Sequence, residues 1–272
     1  MGIFTFINKR GSSMNNTIKT IMNRGSLRGY KNETIKDEHL DLILKSAMRA
    51  PTAGNMMMYS ILVVKDHEKK KKLSKSCDNQ PFIANASVLL VFLADLSKWY
   101  KYYEQNQVKA FLNKNGEKFQ GPTESEFILA MQDAMIAAEN AVIAAESLNI
   151  GSCYIGDIME QKEYHKELFN LPNYVYPVTM VALGYYPDNY KVPLKERFEE
   201  KYVVFNEEYK NLSSEEISDM YKKWDEKFNV KNKYNAENFA QYHFKMKTKS
   251  DFAKEMRRSV KLALNEFSGE EK

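Results

Sequence analysis

The sequence predicts an α+β fold, and three observations carry that prediction. Apolar, largely β-branched runs at residues 60–64, 88–94 and 177–184 read as strands. The second is apolar without interruption, as in a strand buried on both faces, and the third reads as another buried strand. Around them lie stretches with apolar residues at helical spacing, among them a long alanine-rich segment at residues 127–148. At 272 residues the chain can bury a sizeable core, as one large domain or two small ones. Its net charge of +4 arises from 40 basic residues interleaved with 36 acidic ones, a balance without a nucleic-acid or membrane signature. Cys77 and Cys153 lie far apart and fit no metal-ligand spacing, so free thiols in a reducing cytoplasm are expected, with no metal site.

Residues 1–13 hold an apolar run too short for a signal segment and read as an extension without an assigned role. Asn16 or Thr17 can cap a first helix carrying Ile18, Ile21 and Met22 on its apolar side. There follows Arg24-Gly25-Ser26-Leu27-Arg28-Gly29-Tyr30. In an extended chain Arg24, Ser26 and Arg28 share a face, and two guanidinium forks with a hydroxyl between glycines make a phosphate cradle. Leu40, Ile43, Leu44, Ala47 and Met48 define an amphipathic helix over residues 37–49, stopped by Pro51. The chain continues through Pro51-Thr52-Ala53-Gly54-Asn55 into the first strand.

Residues 67–76 predict a helix whose lysine run, 69–72, is its solvated face. Residues 104–126 form a polar excursion long enough to be a mobile lid or a projecting helix. The alanine-rich segment is apolar on nearly every face, which predicts burial all round, at the centre of a bundle or a dimer interface. Gly151 to Asp157 reads as a strand and tight turn, and residues 163–169 as a short helix. Beyond residue 207 the pattern is charged and helical, with Ile217, Tyr221 and Trp224 on one side and Phe252, Met256, Val260 and Leu264 on another. His39, His67, His165 and His243 sit in polar segments and are expected at the surface. No triad, metal cluster or carboxylate dyad can be assembled from spacing.

The pairing of R-x-S-x-R-x-Y at residues 24–30 with A-P-T-A-G-N at residues 50–55 resembles the nitroreductase family of FMN-dependent NAD(P)H oxidoreductases, on its oxygen-insensitive nitroreductase and NADPH–flavin reductase branch. The resemblance extends to about residue 209. It implies a central mixed sheet surrounded by helices, with C-terminal helical arms, in an intertwined homodimer. The implied domains are an extension at 1–13, an FMN-binding core at 14–205 and an arm at 206–272 wrapping the dimer. It further implies ping-pong transfer from NAD(P)H through FMN to a nitroaromatic, a quinone or a flavin. No side chain is expected to be catalytic, because the cofactor carries the redox step.

The same resemblance assigns the FMN phosphate to Arg24, Gly25, Ser26 and Arg28 with Lys195 and Arg197. It assigns the ring to Gln80, Phe82, Tyr154, Ile155, Gly156 and Asp157, and brings Pro51, Thr52, Ala53 and Asn55 from the other subunit. Two positions depart from the family pattern. Met57 stands where many relatives carry a glutamine, and Asp157 where a second glycine is frequent. A non-catalytic flavin-binding protein and a reductive dehalogenase of the same fold are the competing readings, and the preference between NADH and NADPH stays open.

Overall fold

Residues 14–269 are described by the computed structural model. In chain order the helices are α1 Asn16–Asn23, α2 Asp37–Met48, α3 His67–Ser76, α4 Pro81–Asn85, α5 Ser97–Gln105, α6 Val108–Lys114, α7 Glu124–Ser147, α8 Lys162–Leu168, α9 Ser214–Glu226, α10 Phe239–Thr248 and α11 Asp251–Glu266. The strands are β1 Tyr59–Val64, β2 Val88–Asp95, β3 Ile150–Ile155 and β4 Val175–Tyr185. The reading of residues 1–13 lies outside the described residues.

Every predicted strand forms, and the sheet runs β1-β2-β4-β3 with antiparallel neighbours throughout. The expectation of a mixed sheet is therefore corrected. Parallel neighbours need a crossover to the opposite end of the sheet, whereas the helical links β1–β2 and β3–β4 return the chain to the same end. Among the described residues, parallel pairing is confined to the isolated bridge Ser26–Ser152.

Alternate residues of β2 feed two different cores, which is why an unbroken apolar run was required there. Leu90, Phe92 and Ala94 join Ile43 of α2 and the alanines of α7, while Leu89, Val91 and Leu93 join Leu73 of α3, Ile83 of α4 and Ile158. Helices thus cover both faces of the sheet.

Helix α7 starts at a capping box, with Thr123 and Glu126 exchanging side-chain and backbone bonds. It buries Phe127, Ala130, Ala134, Ala137, Ala138 and Ala141 against the sheet, alanine permitting close approach. Burial all round does not hold within one chain: Ile128, Leu129, Met135 and Ile136 stay 41–50% exposed. Helix α1 shows the same imbalance. Asn15 is its cap, accepting from the Ile18 amide at 3.0 Å, and Ile18, Ile21 and Met22 remain exposed.

Two polar residues are buried against expectation. Lys70 sits inside the α3 lysine run, yet its ammonium donates to the Ala86 carbonyl at 2.6 Å, because that turn of α3 faces α4. His165 on α8 is fully buried, with Nε2 2.8 Å from the Ser76 hydroxyl and Nδ1 unpartnered. Burial lowers its pKa against the pull of nearby carbonyls. The folded state therefore disfavours the proton that the unfolded state accepts near pH ~6.5. Stability should be full above that pH and decline as pH falls toward and through the lowered value, by at most about 1.4 kcal/mol per pH unit. Urea midpoints at pH 7.5 and 5.0 should converge in His165→Gln; an unchanged pH slope would remove His165 as the cause.

Contacts divide the chain into one unit up to Leu194 that resumes at Ser259, and another at Lys195–Arg258. The division differs from the expected boundary at 205/206. The chain returns to the first unit because the end of α11 and the turn after it carry core residues: Phe267 stacks on Phe127 at 4.1 Å, and Lys162 pairs with Glu266 at 2.5 Å. In the second unit Phe198 packs on Trp224 at 4.8 Å, and Trp224 on Phe239 at 5.5 Å. The polar excursion takes in the last residues of α5, the short helix α6, an irregular stretch and the start of α7, and Phe111 of α6 is exposed.

Candidate functional site

The phosphate-cradle segment is extended and stitched to the edge of the sheet. Arg24 leaves α1 with φ −67° and ψ 145°, and the Leu27 amide donates to the Ser152 carbonyl at 2.8 Å. Leu27 is fully buried whereas Ser26 and Arg28 are exposed, so the alternation read from the sequence is present. Glycine makes the seam possible. A Cβ on Gly151 would lie 2.4 Å from Leu27, and one on Gly184 2.6 Å from the Tyr30 ring.

Arg24 is half-buried, and its Nε is buried without a partner. A carboxylate unnoticed in the sequence lies beside it. Glu146 accepts from Tyr186 Oη at 2.8 Å and from Ser152 Oγ at 3.2 Å. Burial raises the Glu146 pKa, opposed by those hydroxyls and by the charge of Arg24. Spacing offered no signal for this cluster, because its members come from three elements. Arg28 is exposed, its guanidinium 5.8 Å from the centroid of the Phe82 ring.

The segment holding Pro51, Thr52, Ala53 and Asn55 is a 3-10 turn, Ala53–Asn55, held from α7. Asp133 Oδ1 accepts from the Ala53 amide at 2.9 Å and Oδ2 from the Met58 amide at 3.2 Å. Between those anchors Gly54, Asn55 and Met57 take φ of 55°, 57° and 49°. Left-handed backbone at an unbranched Met57 costs about 1–2 kcal/mol and persists only where neighbours enforce it. Trp99 contributes by donating to the Met56 carbonyl at 2.8 Å.

At the expected ring end, Gln80 and Asp157 meet: Gln80 Nε2 donates to Asp157 Oδ2 at 2.7 Å and to the Cys77 carbonyl at 2.9 Å. Tyr154 is half-buried and donates to Glu139 Oε2 at 2.9 Å. Ile155 is 2% exposed in the sheet's second core, so packing by its side chain on a ring is ruled out and only its backbone is available. A Cβ on Gly156 would meet no atom within 4 Å, leaving open space beside the turn. Lys195 and Arg197 are exposed and belong to the second unit, whereas the other phosphate candidates belong to the first.

That second unit holds a cavity of about 550 Å³ lined by Trp224, Phe228, Phe239, Tyr242, Lys231 and Lys233. Among the described residues no group of acidic, histidine and cysteine side chains could hold a metal ion.

A family model described as Nitroreductase family matches residues 21–185, more than half of the chain. The chain belongs to the nitroreductase family. Its nitroreductase core is 35% identical over 172 residues to FMN reductase (NADPH) of Bacillus subtilis (strain 168), covering 63% of this chain and 66% of that relative, just under two thirds of its length. A second B. subtilis protein, an NAD(P)H FMN reductase, is 32% identical over 213 residues, covering 78% of this chain and 81% of its own. Among solved structures, NfrA2 of B. megaterium superposes with a TM-score of 0.77 at 31% identity, covering 95% of this chain and 100% of that one.

The chain's own atoms suit FMN, the cofactor that its family membership indicates. An orphaned buried guanidinium nitrogen, a second guanidinium and a hydroxyl on one extended strand match the donor set a phosphate dianion takes. The unfilled space at Gly156 leaves backbone free to approach a planar ring.

Proposed function

We propose that this family member, an NAD(P)H-dependent flavin oxidoreductase, binds FMN along the seam between Arg24–Arg28 and the Gly156 turn and passes electrons to a small aromatic or quinonoid acceptor, or to free flavin. The observation that carries the reading is the extended Arg24-Ser26-Arg28 strand with a buried guanidinium nitrogen awaiting a partner. Bound FMN would supply hydride acceptance and release in alternating half-reactions. The chain's part is to hold and shield. Arg24, Ser26 and Arg28 neutralise the phosphate; the Ile155–Asp157 backbone and Gln80 meet the ring.

Two copies are the assembly this reading favours. The open face of α7 carries Ile128, Leu129, Met135 and Ile136, and α2 leaves Leu42 and Met48 exposed. An apolar surface of that kind on a soluble chain calls for cover. A second copy would cover it and bring the Pro51–Asn55 turn of one subunit toward the flavin of the other.

The lysine-and-aromatic cavity of the second unit suits a nucleotide, with rings for adenine and ammonium groups for phosphate. Lys231→Ala with Lys233→Ala should raise the KM for NADPH about tenfold, one charge-assisted contact's worth, and leave NADH nearly unchanged. Equal losses with both nucleotides would discard the cavity as the 2′-phosphate reader.

Absorbance of the purified protein followed by stopped-flow oxidation of NADPH and NADH, with and without a nitroaromatic, tests the function. A yellow protein bleached by nucleotide and recoloured by the acceptor is expected. A yellow protein that oxidises neither nucleotide would favour the flavin-storage reading instead.

A further inference from the structure

We propose that Asp157 is a positioning residue: it fixes which way the Gln80 side-chain amide faces, so that a bound flavin ring meets a carbonyl acceptor and not an NH2 donor. The inference rests on the reading that Gln80 reaches the ring, and adds the residue that decides how.

Gln80 is held at both ends. Its main-chain amide donates to the Ser74 carbonyl at 2.9 Å, and its own carbonyl accepts from Ser74 Oγ at 2.8 Å. Its side chain then spends both hydrogens of Nε2, one on the Cys77 carbonyl at 2.9 Å and one on Asp157 Oδ2 at 2.7 Å. Both partners are acceptors. A flipped amide would set the lone pairs of Oε1 against two oxygens, so the chemistry admits one orientation only. Every N–H of Gln80 is thereby used, and Oε1 is the polar atom left over.

The place of this lock matters. Gln80 is half-buried at the start of α4, two residues before Phe82, whose ring carries the Arg28 guanidinium at 5.8 Å. Asp157 directly follows Gly156, where the backbone faces open space. On the pyrimidine edge of a flavin, two carbonyl oxygens accept and the N3–H between them donates. A fixed Oε1 can pair only with the N3–H; a free amide could turn and donate to a ring carbonyl instead. Without Asp157 only the Cys77 carbonyl opposes a flip, and the second hydrogen of Nε2 is free to turn toward a ring carbonyl.

The test uses the full-length protein reconstituted with FMN labelled with 15N at N3. Three variants, Asp157→Ala, Asp157→Asn and Gln80→Leu, are compared by the N3 resonance, the FMN Kd and the midpoint potential. Asp157 is half-exposed in a short turn, so its side chain can be removed without opening the core. Gln80→Leu should displace the N3 signal and weaken FMN about tenfold, the usual size for one hydrogen bond to a buried group. Asp157→Ala should displace the same signal, weaken FMN about three- to tenfold and raise the potential, as a freed amide donates to a ring carbonyl. Asp157→Asn keeps an acceptor for Nε2 without the charge, and should restore the wild-type N3 signal and Kd.

An asparagine variant that behaves like the alanine variant would show that charge, not orientation, is at work, and would overturn the proposal. So would a Gln80→Leu effect with no Asp157→Ala effect. If Gln80→Leu itself moves nothing, the underlying reading of Gln80 at the ring fails, which is a separate result.

Discussion

Protein carrying Arg24→Ala together with Arg28→Ala should purify largely colourless. Each guanidinium removed takes away charge-assisted hydrogen bonds to a phosphate dianion, worth about 1.5–3 kcal/mol apiece after desolvation. At a tenfold change per ~1.4 kcal/mol, the pair should weaken FMN about 10²- to 10⁴-fold. Arg24 carries the larger share of the argument, because its Nε is already buried and unpartnered. Its loss also strips Glu146 of the nearby positive charge that opposes the burial-driven rise in its pKa. The ratio of absorbance at 280 and 450 nm reads occupancy directly, and titration of apoprotein gives the affinity. Arg24→Lys separates charge from shape: a point charge without the planar fork should recover only part of the binding. Full occupancy in the double variant would refute the phosphate assignment.

Asp133→Asn should cost about 3 kcal/mol of folding stability. Asp133 is 2% exposed and spends both oxygens on backbone amides, at Ala53 and Met58. Asparagine offers one acceptor oxygen and turns an NH2 group toward a backbone N–H, so one buried donor is orphaned against another. An orphaned buried donor costs about 1–3 kcal/mol, and the loss of charge-assisted bonds puts this change at the upper end. The loss should show as a lower urea midpoint with an unchanged slope. The turn between the two amides holds three left-handed residues, Gly54, Asn55 and Met57, and relaxes once its anchors go. Release of FMN in parallel with the stability loss would place this turn at the flavin; stability lost with FMN retained would confine Asp133 to scaffolding. A shift below about 0.5 kcal/mol, the size of an ordinary surface change, would contradict the clamp altogether.

Strand and helix positions were legible because they depend on neighbours in the chain. The unbroken apolar run at residues 88–94 read as a strand covered on both faces and the run at 177–184 as another buried strand, and β2 and β4 are such strands. Alternation at Arg24, Ser26 and Arg28 read as one exposed face, and Leu27 between them is buried. The candidate site was less legible. Gln80 was expected to face a ring with its whole amide, and its donors instead serve Cys77 and Asp157. Ile155 was expected to pack on that ring, and strand alternation turns its side chain into the core. His165 and Lys70 lie in segments whose polarity reads as solvated, and only the helices packed over them take them out of water.

By itself, then, the sequence determined the elements, the faces of the strands and the spacing of the basic residues, since period-2 and period-3.6 patterns act over a few residues. Tertiary structure alone decided the pairings: Asp133 with a turn 75–80 positions away, Gln80 with Asp157 across 77, Glu146 with Tyr186 across 40, and Phe267 stacked on Phe127. A hydrogen bond between distant residues depends on where two whole elements dock. No local pattern carries that information, because the docking energy is spread over both cores of the sheet.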